Sequence, residues 1–390
     1  MKKSSAYFIF VSILLLTSCE KHQEIESIEQ THNQTSLQIS TLLPTTVMKG
    51  TVSEKIRGNA YTENQEQLAN QYEEIAQQLA LNLDNADLRE FILSESKKMY
   101  HGDYYFPLAI AKEQKIKGKT LKSLLASKNK TVSQAESENR IDEIVSNDSK
   151  IIIGVPIEIL KWNPKTHKLL VAASPVTEKA SVVKAFNSEG KVYYLDGKKD
   201  PDVPVIIVGQ DDRPDYLTNT HNVSINNKKN LRPAFLRASG GQDKIAYIEC
   251  PDISAIESWW YGGPELRFNG AVYFDGSNSA VNAFVTQINP PRYMAVDGFP
   301  IEIGLFEWYF DDNHGPDYYI QSFEIDDDGT TQSLTVGVSA GKKDDVSGTA
   351  SFSFTYKGQD KVLKGELIHY TSQLPKVIAD SQIIFEISQW

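Results

Sequence analysis

The spacing of apolar residues changes character several times along this chain. Ala6 to Leu16 is almost wholly apolar, yet too short to cross a bilayer as a permanent helix. Glu20 to about Tyr61 is rich in Gln, Glu, Ser and Thr, with only scattered apolar residues such as Leu42 and Leu43. That composition predicts a flexible tether over residues 19–61. Residues 62–145 then carry helical spacing. Thr62 with Gln65 forms a capping box ahead of Leu68, Tyr72, Ile75 and Leu79. Leu88, Phe91, Ile92 and Met99 make a second stripe behind Asp84 or Asn85 as cap. Pro107 suits the start of a third helix, Thr120 caps a fourth, and Ser133 to Val145 is a fifth.

From Ile151 the runs shorten and become strand-like. Ile151–Val155, Leu169–Ala172, Val182–Val183, Val192–Leu195 and Val203–Val208 define a small β-rich module over residues 151–217. Asn187-Ser-Glu-Gly190 forms a hairpin turn inside it. Residues 218–243 are Asn- and Lys-rich with Gly240-Gly241, which predicts a linker or long loop. Eight or nine strand candidates follow in residues 244–390. Ser351-Phe-Ser-Phe-Thr-Tyr356 alternates as a half-buried antiparallel strand does. The expected fold class is α+β: a helical segment, a small β module and a C-terminal antiparallel β-sandwich.

Location follows from the first residues. Lys2 and Lys3, the apolar run and Leu16-Thr-Ser-Cys19 have the three parts of a secretory signal, residues 1–18. The cysteine at the cleavage point resembles the lipobox of bacterial lipoproteins. That likeness implies diacylglycerol on the Cys19 sulfur, cleavage after Ser18, and acylation of the new amino terminus, palmitate among the chains. Several chains make a stable anchor where one is marginal. The expected place is the cell envelope, as an outer-membrane lipoprotein facing the periplasm or the surface. Glu20 and Glu24 fit a surface-export signal only weakly, with Lys21 and His22 between them.

Loss of Lys2 and Lys3 with the leader takes the formal net charge from -11 to -13. Dispersed acidity argues against nucleic acid and against electrostatic adhesion to anionic lipid. With Cys19 lipidated, Cys250 has no intramolecular disulfide partner. Its place at the end of an apolar run reads as a buried, inert thiol.

The chain lacks H-E-x-x-H, Walker A, G-x-G-x-x-G opening a helix, and G-x-S-x-G, and its seven histidines are scattered. His101 and His314 each sit beside Gly and Asp, as turn residues do. The reading leans away from an enzyme. Strand alternation brings three loops to one end of the sandwich. They carry Asp275, Asn278, Asp311, Asp312, Asp317, Asp344 and Asp345, an oxygen-rich set of the kind calcium takes. Turn chemistry in an acidic protein accounts for the same residues, and Lys342 and Lys343 oppose a cation. Asp326-Asp-Asp-Gly329 begins like an EF-hand loop, but Thr335 stands where a glutamate is needed, so it reads as a tight turn. Trp259, Trp260 and Trp308 form aromatic clusters able to stack on a glycan or anchor an envelope protein, but at strand ends such rings more often complete a core, and the core reading is the favoured one. Glu257, Glu265, Glu302 and Glu307 supply carboxylates for glycoside hydrolysis only if their separations are right.

Three stretches together resemble a group of uncharacterised envelope lipoproteins common in Bacteroidota: Tyr100-His-Gly-Asp103, Val203–Val208 with Asp211-Asp-Arg213, and Glu257-Ser-Trp-Trp-Tyr-Gly-Gly-Pro-Glu265. The likeness implies a helical segment before a β-rich body on the envelope, from about Leu68 onward. It implies no reaction. The sequence leads to a lipid-anchored binding or interaction protein. The alternative is an envelope hydrolase acting on peptide or glycan, with carboxylates or a metal at the acidic loop end of the sandwich.

Overall fold

The computed structural model describes residues 39–49, 61–128, 132–177, 180–211, 234–274, 279–309, 314–326, 330–342 and 345–390. Side chains at 274, 279, 281, 282, 308, 314, 341, 342 and 345–347 are outside that description. Cys19 and the leader also lie outside it.

The N-terminal part opens with helices α1 (Glu63–Asn82) and α2 (Ala86–Ser96). Thr62 and Gln65 close the expected capping box, and Asn85 rather than Asp84 caps α2. Strand β1 (Tyr105–Pro107) follows, then α3 (Leu108–Ala111), α4 (Leu121–Ala126) capped by Thr120, and α5 (Gln134–Asn147) with a second capping box from Ser133.

Strands β2 (Ile151–Gly154), β3 (Val171–Ala173), β4 (Val182–Phe186), β5 (Val192–Asp196) and β6 (Ile206–Gln210) join β1 in one six-stranded sheet. Its order is β1-β2-β6-β3-β4-β5, with β6 parallel to β3 and antiparallel to β2. Helices cover one face. Ile151, Ile153, Val171, Ile206 and Val208 pack there with Ile75, Leu79 and Ile92. Alternate residues, among them Ala172, Val183, Ala185 and Ile207, point to the other face, where Trp259 and Trp260 cover them. A sheet covered on both faces needs apolar residues at successive positions, which explains the unbroken runs. The helical segment and β module, separable in sequence, therefore share one core.

Two expected connectors are partly built in. Within the expected tether, Ser40–Thr41 pairs in parallel with His167–Lys168, Val47 bridges Leu195, and Leu42 packs on the helical core. Scattered apolar residues that looked too sparse to fold find a preformed surface. Within the expected linker, Phe235–Leu236 pairs with Gln373–Leu374, and Arg237 makes a buried ion pair with Asp243 at 3.0 Å.

The C-terminal half is a sandwich with an added layer. Its elements are β7 (Gly241–Glu249), α6 (Ile253–Ile256), β8 (Leu266–Phe274), β9 (Ser279–Ile288), α7 (Arg292–Asp297), β10 (Phe299–Trp308) and β11 (His314–Glu324). After them come β12 (Gln332–Lys342), β13 (Asp345–Tyr356), β14 (Lys361–His369), β15 (Lys376–Ala379) and β16 (Ile384–Gln389). One sheet has the order β10-β7-β16-β15, the other β9-β8-β11-β14. Ile245, Ile303, Phe385 and Ile387 of the first meet Phe268, Phe284, Tyr318 and Ile320 of the second. The β12–β13 hairpin joins neither sheet. Val336 and Phe354 lay it on the outer face of the second sheet, against Ala271 and Phe323.

Candidate functional site

The segment Glu257–Glu265 links the two halves. Its tryptophans are each 1 % exposed, in edge-to-face contact at 5.7 Å, and Trp259 donates to the Asp196 carbonyl at 3.4 Å. Of the two readings open at Trp259 and Trp260, the rings take the core one rather than that of an exposed aromatic platform: they pack on the sheet's second face with Leu170, Val183 and Ile207. Trp308 ends β10, and its side chain is among those not described. Beyond the tryptophans the backbone must turn sharply. Gly262 has φ +103°, and a Cβ there would stand 2.7 Å from the Asp103 carboxylate; a Cβ on Gly263 would strike the Pro290 carbonyl. Asp103, 2 % exposed, accepts from Gly263 N at 3.2 Å.

Arg292, at the first turn of α7, locks this turn in place. Its guanidinium donates to the Glu257 and Gly262 carbonyls, both at 3.0 Å, and clasps Asp200 with two bonds of 2.8 Å. Such a bidentate pair fixes direction as well as charge. Beside it opens a cleft of about 340 Å³ between the two halves. Ile157, Ile159, Leu160 and Val296 give apolar walls, and Tyr104 stacks on Tyr293 with ring centres 5.7 Å apart. Burial first, then the hydrogen bond with Tyr293, pushes the Tyr104 phenol up, so it stays protonated. Glu158, Lys161, Asp200, Arg292 and Asp297 add polar groups to its lining. Glu158 sits at φ +52° and pairs with Lys161 at 2.8 Å. A non-glycine residue held there is strained, a feature that concentrates at binding sites. Three carboxylates face two cations, and each cation already has a carboxylate partner.

The two ends of the linking segment meet a third carboxylate. Glu257, Glu265 and Glu324 each bring an oxygen within 4.8 Å of the others, and all three are 0 to 3 % exposed. Leu266 pairs with Glu324, and Ile325 N donates to the Glu265 carbonyl, so the register of β8 and β11 sets this meeting. Two like charges 4.8 Å apart repel by about 3.5 kcal/mol at an effective dielectric near 20. The Lys361 ammonium stands 3.7 Å from Glu324. Burial, then Asp326 and Glu265, push the Glu324 carboxyl well above the usual carboxylate range, while Lys361 and Glu257 pull against them. Asp326, read from sequence as part of a tight turn, belongs to this neighbourhood through its N–H to Asp360 and its field at Glu324.

The acidic loops expected at the other end are only partly described. Asp275, Asn278, Asp311, Asp312 and Asp344 lie outside the described residues, as does the side chain of Asp345. The strand ends that carry them do lie side by side, since Phe274 pairs with His314. Asp317 is buried and holds Ser339 through its N–H at 2.9 Å and its hydroxyl at 2.5 Å. Glu302, one of the carboxylates considered for hydrolysis, accepts from Lys244 at 2.7 Å, and Glu307 accepts from the Tyr309 hydroxyl at 2.7 Å. Cys250 is fully buried, and burial pushes its thiol up to about 12, which leaves it inert.

A further contact unites two short motifs. His101 Nδ1 lies 2.9 Å from Asp211, whose other oxygen accepts from Tyr105 at 2.7 Å. His101 is at φ +49° and Met99 at φ +56°. Comparison with protein-family models, with curated proteins and with solved structures finds no match.

Proposed function

We propose that this chain is a lipid-anchored protein of the cell envelope whose body binds a small ligand in the cleft between its two halves. Cys19 would bear the lipid, the outer membrane would hold it, and the polar residues after Cys19 would give the body reach. The cleft is the observation that carries the binding role. Its volume of about 340 Å³, apolar walls, stacked tyrosines and polar lining groups are the usual makings of a small-molecule site. An acidic balance around already paired cations disfavours anions. A neutral ligand with a ring face and hydroxyls, such as a glycan fragment, suits it best.

The test is a thermal-shift and calorimetric screen of neutral against anionic sugars, with Leu160→Trp as the blocking variant. Leu160 is 69 % exposed, so an indole there fills the cleft without disturbing a core. Neutral sugars should bind the native protein. Leu160→Trp should reduce affinity at least tenfold with an unchanged melting temperature. Equal binding by both proteins would reject the cleft.

A hydrolase is the second reading, favoured by the His101–Asp211 pair, a general-base arrangement. The buried glutamates do not favour it, because groups 0 to 3 % exposed meet no polymer substrate. If His101→Ala abolished cleavage of envelope peptide or glycan, the hydrolase reading would replace the first.

A further inference from the structure

The buried end of the Glu257–Glu265 segment has the chemistry of a cation site. We propose that Glu257, Glu265 and Glu324 together hold one hard divalent cation of calcium's class, which clamps both ends of that segment to the end of β11. The site lies at the opposite end of the sandwich from the acidic loops, and its argument is independent of the cleft.

Three observations carry it. The donors are all oxygen, which selects hard cations over zinc or copper. Calcium–oxygen distances of about 2.3 to 2.6 Å place ligands on opposite sides of the ion up to about 5 Å apart. Oxygens lying within 4.8 Å of one another can therefore surround such an ion. The third observation is Glu324 itself. Its side chain is wholly buried, no N–H or hydroxyl donor reaches either carboxylate oxygen, and its nearest polar neighbours are the Glu257 and Glu265 carboxyls and the Lys361 ammonium. Native proteins rarely bury a carboxylate so. Lys361, at 3.7 Å, offsets one charge of the three and spends a hydrogen bond on the Ile256 carbonyl.

Further oxygens are at hand. Asn289 follows Ile288, the partner of Leu266, and so stands across from Glu265; its Oδ1 is buried without a hydrogen bond. Asp326 adds negative field from the β11 side. A divalent ion would neutralise what Lys361 leaves and convert mutual repulsion into a tie. That tie would hold the segment whose middle covers the six-stranded sheet and whose carbonyls seat Arg292 at the cleft.

The experiment uses the full chain, purified in detergent, stripped with EDTA and dialysed against calcium or magnesium. Elemental analysis should return one divalent ion per chain. The melting temperature should rise by about 4 °C at a hundredfold excess over the dissociation constant. Glu324→Gln should lose both the bound ion and the shift. Asp312→Asn with Asp344→Asn should keep both. Should Glu324→Gln fail to fold, Glu265→Gln and the metal content of the native chain decide. No bound ion and no shift with either metal would overturn the proposal. So would a shift that survives Glu324→Gln but vanishes in the loop variants, which would put the cation at the acidic loops.

Discussion

Two sheets in this molecule cover an otherwise exposed face by opposite means. The second sheet of the sandwich uses a neighbour in sequence: the β12–β13 hairpin, which directly follows β11, folds over Ala271 and Phe323. The six-stranded sheet uses residues far along the chain, Trp259 and Trp260. The local cover can form with the strands it protects. The distant one couples the α/β half to the sandwich, and with it the cleft, the Arg292 clasp and the buried glutamates. Loss of the hairpin should therefore be a local injury, and loss of the tryptophans a global one.

Truncation breaks this comparison most severely. Trp260→Ala should cost roughly 3–5 kcal/mol, as buried large-to-alanine changes do, and should also weaken ligand capture in the cleft. Phe354→Ala, 3 % exposed but in a small satellite cluster, should cost about 3 kcal/mol and leave capture unchanged. Urea unfolding with a binding assay on each variant reads both effects. Equal effects on capture would show that the two covers are equivalent.

A smaller effect separates the halves by pH. Asp243 of β7 is fully buried beside Arg237 and Tyr318, and burial raises its carboxyl from 3.8 to about 6. Between pH 4 and 6 the folded chain keeps a proton that the unfolded chain releases. This group's stabilisation is thus complete below pH 4 and lost as pH rises through 6. The change is on the order of 3 kcal/mol. Urea midpoints from pH 4 to 7 should show that fall, and Asp243→Asn should remove its share and leave a shallower slope, the raised Glu324 carboxyl supplying the rest. An unaltered slope in the variant would remove Asp243 as its source.

Much of the fold was legible because its signals are local. The capping residues Thr62, Thr120 and Ser133 begin helices where the sequence places them, and Asn187 to Gly190 turns between β4 and β5. Period-two alternation marks β13. What could not be read depends on pairing across long separations. Trp259 and Trp260 look the same in sequence whether they crown a surface or seal a sheet. Glu257 and Glu265 stand out among the carboxylates in sequence and Glu324 does not; only the register of β8 with β11 brings the three together. The cleft arises from Tyr104 and Tyr293, which are 189 positions apart, and has no sequence pattern at all.

The functional proposal depends most on where the body is held, and metabolic labelling reads that directly. Cells given radiolabelled palmitate should yield the native chain labelled and in the outer-membrane fraction, with Cys19→Ser unlabelled and released from it. Label or membrane retention persisting in Cys19→Ser would contradict the anchored-binder account.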